Sequence, residues 1–168
     1  MIIIGIDPGT ASIGFGVIEY INNKSSLKEY GCLKTSPADT AAVRLRDLYR
    51  ELSELIKKYK PELMAVEDIF FFKNLKTVVK VSQARGVILL AGANHHLAVA
   101  EFTPLQVKQA VTGYGRAEKA QVQKMVKAIL SLKEIPRPDD AADALAVALC
   151  CAHSYPQLKN IGLLTSKK

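Results

Sequence analysis

The sequence predicts an α/β fold, a mixed five-stranded sheet flanked by helices. Three observations predict it. The chain opens with three strand-like stretches joined by turn signals. It then switches to apolar residues spaced three and four apart. Two later short apolar runs, 62–67 and 97–102, lie between helical segments.

The first stretch, "MIIIGID" (1–7), is β-branched and apolar, and "ASIGFGVIEY" (11–20) follows the turn-like "DPGT", so the two read as a hairpin. After the polar turn "NNKSS" comes "LKEYGCLKT" (27–35), which makes three consecutive antiparallel strands. Between Ala41 and Tyr59, Val43, Leu45, Leu48, Leu52, Leu55 and Ile56 form the stripe of an amphipathic helix that stops before Pro61. "ELMAVE" (62–67), reached through that helix, is expected to lie parallel to the first strand. The loop "DIFFFKN" leads to a helix over about 76–94, a strand at 97–102, and a helix that Thr103 caps with Pro104 at its first position. After "TGYGR", helix 117–132 carries Val122, Met125, Val126, Ile129 and Leu130 on one side, with Lys119, Gln123, Lys124 and Lys127 toward solvent. A last helix starts at "PDD", and residues 156–168 read as a flexible tail outside a single domain of residues 1–155. There is no internal repeat.

Within helix 76–94, "GVILLAGA" (86–93) has no polar side chain over more than two turns. One side covers the sheet; the other meets either a second copy of the chain or the last helix or tail.

With 168 residues and 49% hydrophobic content, one well-filled core is expected. No run of eighteen apolar residues exists and "MIIIGID" lacks a basic leader, so the expectation is a soluble, unexported protein with no membrane role. Cys32, Cys150 and Cys151 build no disulfide framework, which fits a reducing cytoplasm. A formal charge of +7 and a pI near 9.3 favour a polyanionic partner.

Against that basic background the acids stand out. Asp7 ends the first apolar strand, sharing a side with Ile3 and Gly5; taken alone it is a turn former before Pro-Gly. Glu67 closes "LMAVE" in the same way, and if the two strands are parallel neighbours both side chains emerge at one C-terminal sheet edge. In "PDDAADAL", Asp139 suits an N-cap and Asp140 a first-turn acid, but Asp143 lies a turn further in, before the apolar "ALAVALCCA". Like charges a turn apart repel, and a hard divalent cation, Mg²⁺ or Mn²⁺, would compensate Asp7, Glu67, Asp140 and Asp143 together. His95, His96 and His153 have no metal-ligand spacing and are assigned to packing or surface, as are Cys150 and Cys151 to packing.

"GIDPGTASIGFGVIE", "MAVEDIFFFKN", "SQARGVILL", "TPLQVKQAVTGYGRAEKAQVQKMV" and "PDDAADALAVAL", in this order, resemble the RuvC family of Holliday-junction resolvases over residues 1 to 153. The resemblance implies a ribonuclease-H-like fold, a homodimer, and Mg²⁺-dependent nicking of two symmetric strands of a four-way DNA junction. It also implies two ions per subunit, Mn²⁺ as a substitute, and a branch-migration motor as partner. By motif position it assigns Asp7, Glu67, Asp140 and Asp143 to catalysis and metal binding, leaves Asp68 outside the direct metal ligands, and leaves open whether Asp139 assists. Lys108 and Lys119 match positions that the family places near DNA, and Arg116 in the glycine-flanked loop joins them; each alone also reads as a solvated cation. The family motif points to Phe70 as an aromatic that stacks on an unpaired base. The first motif also resembles the phosphate hairpin of actin-like and sugar-kinase ATPases, but no second glycine-rich loop follows. A DNA-binding module without catalysis is the other alternative, and the presence of all four acids argues against it.

Overall fold

The protein is described by a computed structural model covering residues 1–9, 12–68 and 75–160. Its elements are β1 (Ile2–Asp7), β2 (Ser12–Ile21), β3 (Lys24–Lys34), α1 (Ala41–Tyr59), β4 (Leu63–Glu67), α2 (Leu75–Asn94), β5 (Ala98–Phe102), α3 (Pro104–Thr112), α4 (Lys119–Ile129) and α5 (Asp139–Asn160). The strands form one sheet in the order β3-β2-β1-β4-β5. β1, β2 and β3 pair antiparallel and β4 pairs parallel with β1, as the sequence pattern predicts; β5 adds to β4, also parallel.

Alternation along the strands divides the core into two layers. Ile4, Ile6, Met64 and Val66 pack against Leu48, Leu52 and Ile56 of α1 and Ala84, Ile88 and Ala91 of α2. On the other face, Ile3, Leu63 and Ala65 meet Val107 and Val111 of α3, Val122 and Val126 of α4, and α5. Helix α5 is the innermost helix: Ala141, Ala142 and every residue from Ala144 to Ala152 are buried. Its small side chains let it lie close to the sheet, and the strands answer with glycine. A Cβ on Gly5 would overlap the carbonyl oxygen of Ala144, and one on Gly14 the carbonyl oxygen of Asp140.

The helix ends carry the signals expected of them. Thr40 caps α1, whose last turn closes on Lys60 in the left-handed conformation with its N–H donating to the Ile56 carbonyl at 2.8 Å. Thr103 accepts from the Gln106 N–H at 3.3 Å while the Gln106 side chain accepts from the Thr103 N–H at 2.8 Å, closing a capping box with Pro104 behind it.

The structure corrects the expected outline in four places. The β2–β3 turn is Asn22-Asn23 alone, with φ of 50° and 62°, so Lys24, Ser25 and Ser26 extend β3 instead of forming the turn. On α4, Gln123 is buried and Met125 is 39% exposed, the reverse of the expectation. The buried stripe is centred between Val122 and Leu130, and at 100° per residue Gln123 lies nearer that centre than Met125. Helix α5 continues past the boundary expected at residue 155, with Tyr155 and Leu158 packed on the core; residues 161–168 lie outside the described ones. Finally, α5 does not cover the outer side of α2, because the two helices occupy opposite faces of the sheet. Val79 and Leu90 of α2 remain 56% and 53% exposed.

No helix among the described residues is long and apolar enough to cross a membrane. Cys150 and Cys151 are buried, their thiols pushed up to about 12 by desolvation, in keeping with the packing role expected of them.

Candidate active site

Two strands and one helix gather the acids. The β1–β4 register pairs Gly5 with Ala65 and Ile6 with Val66, so Asp7 and Glu67 come next, side by side at the C-terminal edge. Both follow the alternation of Ile3, Gly5, Leu63 and Ala65, whose face is the one that α5 covers. Helix α5 begins directly above them. Gly14, which pairs with Asp7 across the β1–β2 ladder, faces the Asp140 backbone, and this contact brings the first turn of α5 over the sheet edge. Glycine at 14 is therefore part of how Asp140 and Asp143 reach Asp7.

The electrostatics follow from that crowding. Burial, then the charges of Asp143 and Asp140, push the Asp7 carboxyl from 3.8 up to about 6, although a hydrogen bond with Glu67 pulls the other way. Burial, then Asp7 and Asp143, push Glu67 from 4.5 up to about 8, with Lys108 opposing. Both carboxyl groups are thus held above their ordinary values by burial and by the neighbouring carboxylates. Asp143 is also raised, by burial first, with Lys119 opposing. The Lys119 ammonium lies 2.7 Å from Asp143 Oδ2 and 3.6 Å from Asp139 Oδ2. Desolvation alone would lower Lys119, but hydrogen bonding and charge from Asp143, then Asp139, leave it raised.

Among the described residues, no three His, Cys, Asp or Glu side chains already stand as a metal cage. The acids are assembled without closing around a common point, and the Lys119 ammonium lies against Asp143. The donor set is nonetheless all carboxylate oxygen, held by buried backbone, with carboxyl groups raised by mutual charge. A hard divalent cation relieves just that, so the residues fit Mg²⁺ or Mn²⁺ and not a soft metal.

A cavity of about 200 Å³ opens beside the cluster, lined by Glu67 and Asp143, by Lys108 and Lys119, and by Pro104 and Val107 among others. It brings together two of the expected DNA-contacting lysines with two of the expected acids. Arg116 is exposed in the loop before α4 and is not among the cavity's lining residues. Phe70 lies outside the described residues. Asp139 turns away, its carboxylate 2.5 Å from Arg137 Nη1, and its carboxyl is held low: hydrogen bonding with Gln123 and the Lys119 and Arg137 charges outweigh desolvation. His153, exposed on α5, donates from Nδ1 to the Ala110 carbonyl oxygen, 3.0 Å away. Sequence reasoning missed that Lys119 serves as the counter-ion of Asp143. Its signal was the first position of α4, behind Glu118, whose N–H donates to Gln121 Oε1 at 2.9 Å.

The family model described as crossover junction endodeoxyribonuclease RuvC matches residues 3–151. The chain belongs to the RuvC family. It is 60% identical over 152 residues to the crossover junction endodeoxyribonuclease RuvC of Desulforamulus reducens, covering 90% of this chain and 93% of that relative. The RuvC structure of Thermus thermophilus superposes with a TM-score of 0.87 at 38% identity, over 94% of this chain and 96% of that one. The T. thermophilus RuvC solved in complex with a Holliday junction substrate gives 0.86 at 36% identity, with the same coverage. This RuvC-family chain accordingly has the ribonuclease-H-like fold expected from its motifs.

Proposed function

We propose that the chain resolves Holliday junctions in DNA recombination and repair. It is a structure-selective endonuclease, hydrolysing phosphodiester bonds to give symmetric nicks with 5′-phosphate and 3′-hydroxyl ends. One observation carries this reading: Asp7, Glu67 and Asp143, from three separate elements, meet at one sheet edge beside a cavity walled by Lys108 and Lys119.

Asp7, Glu67, Asp140 and Asp143 would hold the metal. Two bound Mg²⁺ ions, or Mn²⁺ in their place, would supply a water of lowered pKa and neutralise the departing 3′ oxygen. The protein's own groups do the rest. Lys108 and Lys119 line the wall through which a phosphate reaches the acids, so each supplies positive charge at the scissile group. Lys119, the counter-ion of Asp143 and part of the cavity wall, would also be placed to face the phosphate. Arg116, exposed at the rim, contacts the backbone further out, and Phe70 stacks on a base opened at the junction. The reading also takes the chain as a cytoplasmic homodimer, since paired symmetric nicks need two sites, and gives it a branch-migration motor as partner.

Incubating the full chain with four-way and linear DNA of equal length, in Mg²⁺ or in EDTA, tests the reading. Paired nicks in the junction alone, and only with Mg²⁺, are expected. Equal cutting of linear duplex, or cutting in EDTA, overturns it.

A further inference from the structure

Asp68 follows Glu67 directly and points to the opposite face of the sheet, where Arg85 of α2 meets it. Arg85 Nη2 lies 3.2 Å from Asp68 Oδ1 and also pairs with Glu101 Oε2 of β5. Val66 and Glu101 are register partners, so the two carboxylates project from adjacent strands on either side of the ladder's end. The Asp68 N–H donates to the Phe102 carbonyl at 2.8 Å, which carries the β4–β5 ladder one residue beyond β4. Arg85 is the most enclosed of the three, with 23% of its side chain exposed against 42% and 43% for its partners, and its Nε is buried with no hydrogen-bond partner among the described residues.

This arrangement is poorly suited to stability alone. Ion pairs this exposed contribute little to stability. What the triad does provide is a fixed end for β4. A single planar guanidinium ties α2 and β5 to the residue immediately behind Glu67, and a residue tied by both its backbone N–H and its side chain cannot swing. Because Glu67 is its neighbour through one peptide plane, the direction in which the Glu67 carboxyl leaves the sheet is set with it. The pairing also keeps the Asp68 charge neutralised on the α2 side, away from the cluster of Asp7, Glu67 and Asp143.

We infer that Arg85 is a positioning residue of the metal site, acting across the sheet edge through Asp68 to fix Glu67 for the divalent cation. The inference rests on the function proposed above. Arg85 itself touches neither substrate nor metal.

Isothermal titration of the full-length chain and its variants with Mn²⁺, in the absence of DNA, is the deciding measurement. Arg85→Gln is expected to weaken Mn²⁺ binding about tenfold, the scale of losing a supporting contact behind a metal ligand. It is also expected to speed hydrogen exchange at the Asp68 amide, while affinity for a four-way junction in EDTA stays within twofold. Arg85→Lys should recover only part of the loss, since one ammonium cannot serve both carboxylates as a planar fork does. Asp68→Asn should reproduce the defect, and combining it with Arg85→Gln should add little further, because both act through one contact.

If Arg85→Gln remains folded and binds Mn²⁺ within twofold of the parent, Arg85 merely joins α2 to the sheet and the inference falls. Should that variant fail to fold, Asp68→Asn with unchanged Mn²⁺ affinity overturns it equally. A parent chain that cuts no junction and binds no Mn²⁺ would instead remove the functional reading, and this inference with it.

Discussion

A carboxyl group pushed up to about 8 records what it costs to keep Glu67 charged beside Asp7 and Asp143. Both Asp7 and Glu67 have folded values above their unfolded ones, so between those values the folded chain binds more protons than the unfolded chain. Stability from these groups is therefore present at low pH and is lost as pH rises, from 3.8 to about 6 for Asp7 and from 4.5 to about 8 for Glu67. The limiting slope is about 1.4 kcal/mol per pH unit for each group. In EDTA the urea midpoint should fall between pH 5 and pH 8, and millimolar Mg²⁺ should flatten the profile by giving the charged forms a partner. Asp7→Asn removes one of the repelling charges, so it should stabilise the metal-free chain at pH 8 while cleavage drops at least about a hundredfold. Junction binding should persist. A midpoint that rises from pH 5 to pH 8 in EDTA, or that Asp7→Asn lowers at pH 8, would contradict this account of the cluster.

Helix α5 shows how an element delivers chemistry through packing. Its first turn reaches the sheet edge because Gly5 and Gly14 leave room for its backbone, and a methyl group at 14 would collide with the Asp140 carbonyl oxygen. Backbone cannot yield as a flexible side chain does, so Gly14→Ala must push α5 outward. The expected loss of stability is about 1–3 kcal/mol, the range for overpacking, and cleavage should fall further than stability explains because Asp140 and Asp143 move with the helix. Urea unfolding beside single-turnover cleavage at saturating Mg²⁺ measures both; unchanged cleavage in a destabilised Gly14→Ala would mean that the acids do not depend on this contact. Much of this arrangement was legible beforehand. Asp7 and Glu67 each end an apolar strand, and alternation together with the parallel crossover is enough to place them at one edge. Asp143 could be separated from Asp139 by its position one turn into an apolar helix. What local pattern could not reveal was long-range side-chain pairing. Lys119 meets Asp143, and Arg85 meets Asp68 and Glu101, only because α4 and α2 arrive from distant parts of the chain. The swap of Gln123 and Met125 has the same origin, since the direction from which α5 approaches α4 decides which flank of an amphipathic stripe is covered.

Over the whole molecule, charge and apolar surface divide the work. The proposed site takes four of the 16 acidic residues, which leaves the rest of the surface more basic than the formal +7 indicates, as a body drawn to phosphates requires. The outer side of α2 has a different character. Val79 and Leu90 are exposed eleven residues apart, three turns of helix, and Ser82, Gly86 and Ala93 are exposed along the same stripe. A Cβ on Gly86 would meet nothing, so the middle of the stripe is an open surface with no side chain on it. We propose this surface for the second copy of the homodimer, since a two-fold axis at Gly86 would bring the residues before it opposite those after it and let the two α2 helices approach closely. Such a dimer would give the two sites needed for symmetric nicks. Leu90→Glu places a charge on each side of that axis without touching the acids, the lysines or the core, so its effect should be confined to assembly. Sedimentation equilibrium should show a dimer for the parent and a monomer for Leu90→Glu, with paired incision of one junction lost before single nicking is. A Leu90→Glu chain that still sediments as a dimer would put the subunit contact on another face.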